Sequence, residues 1–252
     1  MKENDFLRQI EAKLSEMGFA FSRIKTDSIQ KKPDFQIEKG GQKFTIELKF
    51  KELDSEIYQE FLDSIKEKGS HETSIQIEYM NSVSKTIRKA EKQLISHDPK
   101  KESFFLVWYH ANPPMAKAYF DIFFSTIYGS ETLCSIDISH TFTCYYFHES
   151  SFFTQKNIDG AILTDGQNLK LCLNTYSKRY KEFSESTLVS SFAGAICDPL
   201  KLASLDGVLI ADCSIPRNEE NTMIDFLVKK YNFKHLQTMP MKYHQLFIKD
   251  SA

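Results

Sequence analysis

A chain of 252 residues, 41% apolar and 26% charged, has the composition of a globular protein and the length for one large domain or two small ones. Its net charge of −2 excludes a uniformly cationic nucleic-acid binder, and no apolar run reaches the length of a membrane span. The N-terminus, MKENDFLRQI, reads as a polar helix start and not as a signal peptide.

Residues 4–18 predict an amphipathic helix with Phe6, Leu7, Ile10, Leu14 and Met17 on its apolar stripe and Glu11 at the margin. Phe19 to Ile24 predicts a first strand, followed by a polar, basic loop over Lys25 to Lys32. Two alternating runs then flank Gly40-Gly41. In the second, Phe44, Ile46, Leu48 and Phe50 share one face and Thr45, Glu47, Lys49 and Lys51 the other. Period-2 alternation marks strands, and a Gly-Gly pair between two such runs marks a tight hairpin.

With Gly40 and Gly41 as the turn, paired residue numbers sum to 81, and Asp34 falls opposite Glu47. Directly opposed side chains have Cβ atoms roughly 5 Å apart. Lys49 lies two residues along on the same face as Glu47. Two carboxylates held this close repel, and one tends to take up a proton unless a cation joins them. Their hard oxygens suit Mg²⁺ or Mn²⁺, and the Leu48 carbonyl can supply a further ligand. Such an ion polarises a phosphate oxygen and acidifies a bound water, while Lys49 orients that water or stabilises developing charge. Arg23, Lys25, Lys31, Lys32, Lys39, Lys43, Lys49 and Lys51 outnumber the local acids, a balance that suits a polyanionic substrate.

Further along, Leu53 to Lys66 predicts a helix, Lys68 to Thr73 a loop and Ile75 to Tyr79 a short strand. Ser82 to Ile95 predicts a second clear helix with Thr86, Lys89 and Gln93 along one flank. Ser103 to His110 reads as a strand buried on both faces, and a helix runs from the Asn112-Pro113-Pro114 start to about Tyr128. In the second half, strands are expected over 132–138, 141–147, 160–163, 169–173, 207–213, 236–239 and 243–248. Helices are expected over 184–195 and 216–231, the latter capped near Ser214. Asp159, Asp165 and Asp212 read as turn acids bonded to local backbone, and His140 and His148 as structural. Cys134, Cys144, Cys172, Cys197 and Cys213 form no CxxC pair and read as buried thiols of a cytoplasmic protein. Walker A, Rossmann, zinc and GxSxG patterns are absent.

Pro33-Asp34, twelve residues, then Glu47-Leu48-Lys49 resembles the PD-(D/E)XK nuclease superfamily over roughly the first half of the chain. The resemblance implies an α/β fold, a mixed sheet flanked by helices as in restriction endonucleases, with a C-terminal α+β accessory region. It implies Asp34 and Glu47 as metal ligands and Lys49 as the residue that assists the water. It adds Glu11 as the acid on the preceding helix and Lys89 or Gln93, of which Gln93 is chosen, as the polar residue facing the site. The expected protein is a Mg²⁺- or Mn²⁺-dependent nuclease acting on DNA, in restriction, phage defence or repair. A single visible site means that duplex cleavage needs a homodimer or two successive nicks. The rival reading is an inactive nuclease-fold module that binds nucleic acid or a protein partner. A boundary is expected near residue 150, with residues 151–252 either a recognition region or an extension of the same sheet.

Overall fold

The computed structural model describes residues 3–25, 31–51, 55–77, 79–239 and 243–249. Helix α1 (Glu3–Glu16) turns Phe6, Leu7, Ile10 and Leu14 inward at helical spacing. Strand β1 (Ala20–Arg23) precedes the hairpin of β2 (Phe35–Lys39) and β3 (Gln42–Lys51). Gly40 and Gly41 have φ of 58° and 76°, a region that costs glycine nothing, and they close the two-residue turn. The ladder runs Phe35↔Ile46, Ile37↔Phe44 and Lys39↔Gln42, which is the register expected from the sequence.

Next come α2 (Ser55–Lys68), β4 (Ser70–Gln76), α3 (Asn81–His97), β5 (Phe104–Ala111) and α4 (Ala116–Tyr128). The chain continues through β6 (Glu131–Ser135), β7 (His140–Tyr145), α5 (Ser151–Thr154), β8 (Gly160–Thr164) and β9 (Leu169–Leu173). It then passes through α6 (Tyr180–Ser184), α7 (Thr187–Ser191), β10 (Ile196–Cys197), α8 (Pro199–Leu202) and β11 (Val208–Ile210). The last elements are α9 (Glu220–Tyr231), β12 (Gln237–Thr238) and β13 (Tyr243–Lys249).

The architecture is mixed α/β. A seven-stranded sheet has the order β1-β2-β3-β5-β8-β9-β10, and a four-stranded sheet the order β11-β7-β6-β12. In the larger sheet β3, β5 and β8 run parallel, while β1–β2, β2–β3 and β8–β9 are antiparallel. Strands from both sides of residue 150 therefore hydrogen-bond into one sheet. Every residue of β5 is buried, as a strand covered on both faces requires. On one face Phe44, Ile46, Leu48, Leu106 and Trp108 pack against the apolar stripe of α1. On the other, Phe105, Val107 and Tyr109 pack against Val83, Ile87, Ala90 and Leu94 of α3 and against α4. The four-stranded sheet adds Leu133, Phe142 and Cys144 to that second cluster. Among the described residues no helix is long and apolar enough to cross a membrane.

Some element boundaries depart from the sequence expectation. The loop expected over 68–73 is largely strand, because β4 starts at Ser70 and pairs antiparallel with the distant β13. That strand ends at Gln76 instead of reaching Tyr79. Leu53, the expected first residue of α2, lies outside the described residues. The helix expected over 184–195 is only the short α7, preceded by α6, which ends at Ser184; buried Ser186 between them accepts a hydrogen bond from the Val189 amide and starts a new turn. Helix α9 begins at Glu220, past the expected Ser214 cap. The intervening Arg217 instead donates to the carbonyls of Ala211 and Cys213 and holds that segment as a loop.

Candidate metal centre

Strand β3 sets the site. Its apolar face is buried against α1, and the opposite face carries Thr45, Glu47 and Lys49 beneath α3. Thr45 shares a hydrogen bond with Ser103 at 2.7 Å and receives one from Gln36 at 3.1 Å, so the first polar position on this face is satisfied. Glu47, next on the same face, is only 3% exposed. A carboxylate taken that far from water costs several kcal/mol unless partners replace its hydration. Lys49 ion-pairs with Glu47 Oε1. Glu47 Oε2, equally buried, has no hydrogen-bond partner among the described residues.

Asp34 stands beside it. The Asp34 amide donates to the Ile46 carbonyl at 3.2 Å, one residue out of step with Phe35↔Ile46, so the ladder ends there and Asp34 is not in the direct pairing with Glu47 expected from the sequence. Its Oδ2 accepts the Leu48 amide at 2.6 Å, satisfying the backbone group left over where the ladder ends. Ile46 and Leu48 both turn their backbone groups towards β2, so the Leu48 carbonyl opens on the Asp34 side of β3. Helix α3 closes the site from above. Gln93 is near enough to Glu47 to favour its charged form, and its Nε2 lies 3.5 Å from the Lys32 carbonyl in the segment that leads to Asp34.

Burial pushes the Glu47 carboxyl up to about 7; the Asp34 charge adds to the rise, while Lys49 and Gln93 oppose it. Burial also raises Asp34, against the Leu48 amide and the Lys49 charge. Two neighbouring acids both raised by burial form a pair that holds a proton when no cation is present.

The structure thus brings Asp34, Glu47, Lys49, Gln93 and the Leu48 carbonyl together, and leaves Glu11 apart. Glu11 lies on α1, across the sheet from Glu47, and pairs with Arg23 at 3.7 Å with both side chains half-exposed. Its place at the edge of an apolar stripe said nothing about which face of the sheet the helix would cover. Lys89 is exposed, and Thr86 bonds back to the Ser82 carbonyl at 2.9 Å. Sequence reasoning passed over Ser103 and Gln36, which satisfy Thr45, and the solvent face of α3. The i, i+3, i+4 spacing of cations on that face was its signal.

Of the three acids expected to bond local backbone, only Asp165 does so; Asp212 pairs with a lysine 18 residues on, and Asp159 bonds a strand amide 54 residues back. Asp165 accepts from the amides of Gln167 and Asn168, and Asp212 pairs with Lys230. Asp159 anchors strand to loop, from the Phe105 amide to the Ser177 hydroxyl. His148 bonds Glu131 at 2.8 Å. The five cysteines are unpaired; Cys144, Cys172 and Cys197 are buried, while Cys134 and Cys213 are half-buried.

No family model matches the chain, and no curated protein or solved structure matches it. The chemistry therefore has to be argued from the donor set. Among the described residues no group of three or more His, Cys, Asp and Glu side chains is placed to hold a metal ion. A hard cation that keeps several waters needs fewer: Mg²⁺ is commonly bound through one or two carboxylates. The unpartnered, buried Glu47 Oε2 beside Asp34 is an oxygen that such an ion would satisfy.

Proposed function

We propose that this chain is a metal-dependent nuclease of the PD-(D/E)XK kind, hydrolysing phosphodiester bonds in DNA. The observation that carries the proposal is Glu47, a buried carboxylate with one oxygen unpartnered, set next to Asp34 and on the same strand face as Lys49. A buried acceptor without a donor costs about 1–3 kcal/mol, and either a proton shared with Asp34 or a cation would satisfy it; the nuclease reading takes the cation. The hairpin at the head of a helix-flanked mixed sheet agrees with a restriction-endonuclease-like core, which is part of the same proposal.

Asp34, Glu47 and the Leu48 carbonyl would hold Mg²⁺ or Mn²⁺. When bound, the ion would polarise a phosphate oxygen and lower the pKa of a water. Lys49 now neutralises Glu47. With the carboxylates committed to the cation, its ammonium is left to orient the attacking water or to stabilise charge building on the phosphorus oxygens. Gln93 approaches Glu47 from α3, where it favours the ionised carboxylate, and its amide reaches the Lys32 carbonyl before Asp34. One such centre cuts one strand, so duplex cleavage takes two copies or two successive nicks. Restriction, phage defence and repair are the roles such an activity serves.

The test is cleavage of linear, circular and branched DNA with Mg²⁺ or Mn²⁺ by the wild type and by Lys49→Ala. The proposal expects metal-dependent cutting that falls by at least about 100-fold in the variant, the usual size of a lost proton-transfer or charge-stabilising group. Equal cutting by both proteins would contradict it.

A further inference from the structure

Helix α3 carries more than the Gln93 contact. Lys85, Arg88, Lys89 and Lys92 are all exposed and recur at i, i+3, i+4 and i+7, so they form one stripe along its solvent face. None of the four makes an ion pair with another described residue. The only acid of the helix, Glu91, is turned away and accepts from the amide and side chain of Asn157 at 3.1 and 3.0 Å. Helix α1 shows the contrast: its Arg8 and Lys13 lie beside Asp5 and Glu16. In a chain of net charge −2, four cations on one helix face without an ion pair to another described residue are a local concentration of positive charge.

From this we infer that the exposed face of α3 is the track that receives the phosphate backbone of duplex DNA and leads it to Asp34 and Glu47. The inference rests on the nuclease reading for its destination, and on the stripe itself for the binding. The stripe covers seven residue steps, about 10 Å of helix, which spans about three phosphates of one B-DNA strand along its axis. Gln93 ties the same helix to the Lys32 carbonyl, so exposed Lys31 continues the cationic path towards Asp34. An anionic membrane is the weaker partner for this surface. Interfacial helices set large apolar side chains beside their cations, and here only Ile95 is exposed nearby.

The experiment measures binding of a fluorescein-labelled 30-base-pair duplex by anisotropy, in EDTA, over a range of salt. The proteins are the wild type, a variant with Lys85, Arg88, Lys89 and Lys92 all changed to Gln, and a control with Lys13, Lys66, Lys201 and Lys229 changed to Gln. Both variants lose four positive charges from exposed positions, and a thermal melt checks that each is folded. The inference expects the stripe variant to bind at least roughly tenfold more weakly at low salt, with a log K against log salt slope shallower by about 3 units, while the control keeps most of the slope. Unchanged binding by the stripe variant, equal loss in the control, no binding by the wild type, or wild-type binding to phosphatidylserine vesicles but not to the duplex would each overturn it. Metal is absent throughout, so a failed nuclease reading shows separately, as intact binding without cleavage in Mg²⁺. A wild type that cuts DNA while the stripe variant binds normally would sink the track alone.

Discussion

Burial makes the ionised form of the Glu47 carboxyl costly to the fold. Its carboxyl is raised from the ordinary 4.5 to about 7, so between those values the folded chain holds a proton that the unfolded chain has lost. Stability therefore falls as pH rises from about 4.5 to about 7, and above 7 the folded state carries the full cost of the buried charge. Glu47→Gln removes the titration and keeps the shape. It should stabilise the metal-free protein at pH 8 by roughly 1–3 kcal/mol and flatten its pH dependence between 5 and 7. Urea unfolding at pH 5 and pH 8 checks this; a variant less stable than the wild type at pH 8 would show that the Lys49 pairing outweighs burial. At this scale the sequence was informative. Alternation and a Gly-Gly turn put Glu47 and Lys49 on one strand face and fix the ladder as far as Phe35↔Ile46, because a two-residue turn leaves no freedom in the register; Asp34 lies just past the end of that ladder and is held there by the Leu48 amide. Neither the depth of Glu47 nor the position of Glu11 could be read from it. Both depend on which side of the sheet α3 and α1 cover, and that is settled by packing between distant segments.

The hairpin is the element on which the site depends. Gly41 has a φ of 76°, and a Cβ added there would meet no other atom within 4 Å. Gly41→Ala therefore measures backbone strain alone. It should cost about 1 kcal/mol, whereas Gly41→Asn, whose side chain tolerates the left-handed region, should cost about half as much or less. Chemical denaturation of the two variants checks the order; equal stability of both with the wild type would show that the turn relaxes to another geometry. Local elements of this kind were legible, as were the β8–β9 hairpin and the buried strand β5. Strand β4 was not, since its polar alternation becomes a strand only through β13, about 170 residues away in the chain. The break between α6 and α7 was missed for a related reason. A helical apolar pattern continues through it, and only the buried Ser186 cap interrupts the backbone.

Across the whole molecule, one sheet joins the hairpin to strands that the second half supplies through β8, β9 and β10. The site residues and the helices α1, α3 and α4 that flank their sheet all come from the first half, while the second half extends that sheet and completes the core on both of its faces. Strand order of this sort lies outside the reach of periodicity, because parallel neighbours such as β3, β5 and β8 come from well-separated parts of the chain. What the architecture delivers is a buried pair of carboxylates with Glu47 Oε2 unpartnered among the described residues, and the proposed function assigns a cation to that pair. The most direct measurement is calorimetric titration of the purified protein with Mn²⁺ at pH 7.5, on the wild type, Asp34→Ala and Glu47→Gln. The account predicts binding by the wild type that weakens up to about tenfold for each pH unit below 7, as the ion displaces the Glu47 proton, and no binding by either variant. Equal binding by all three proteins, or none by the wild type, would contradict it.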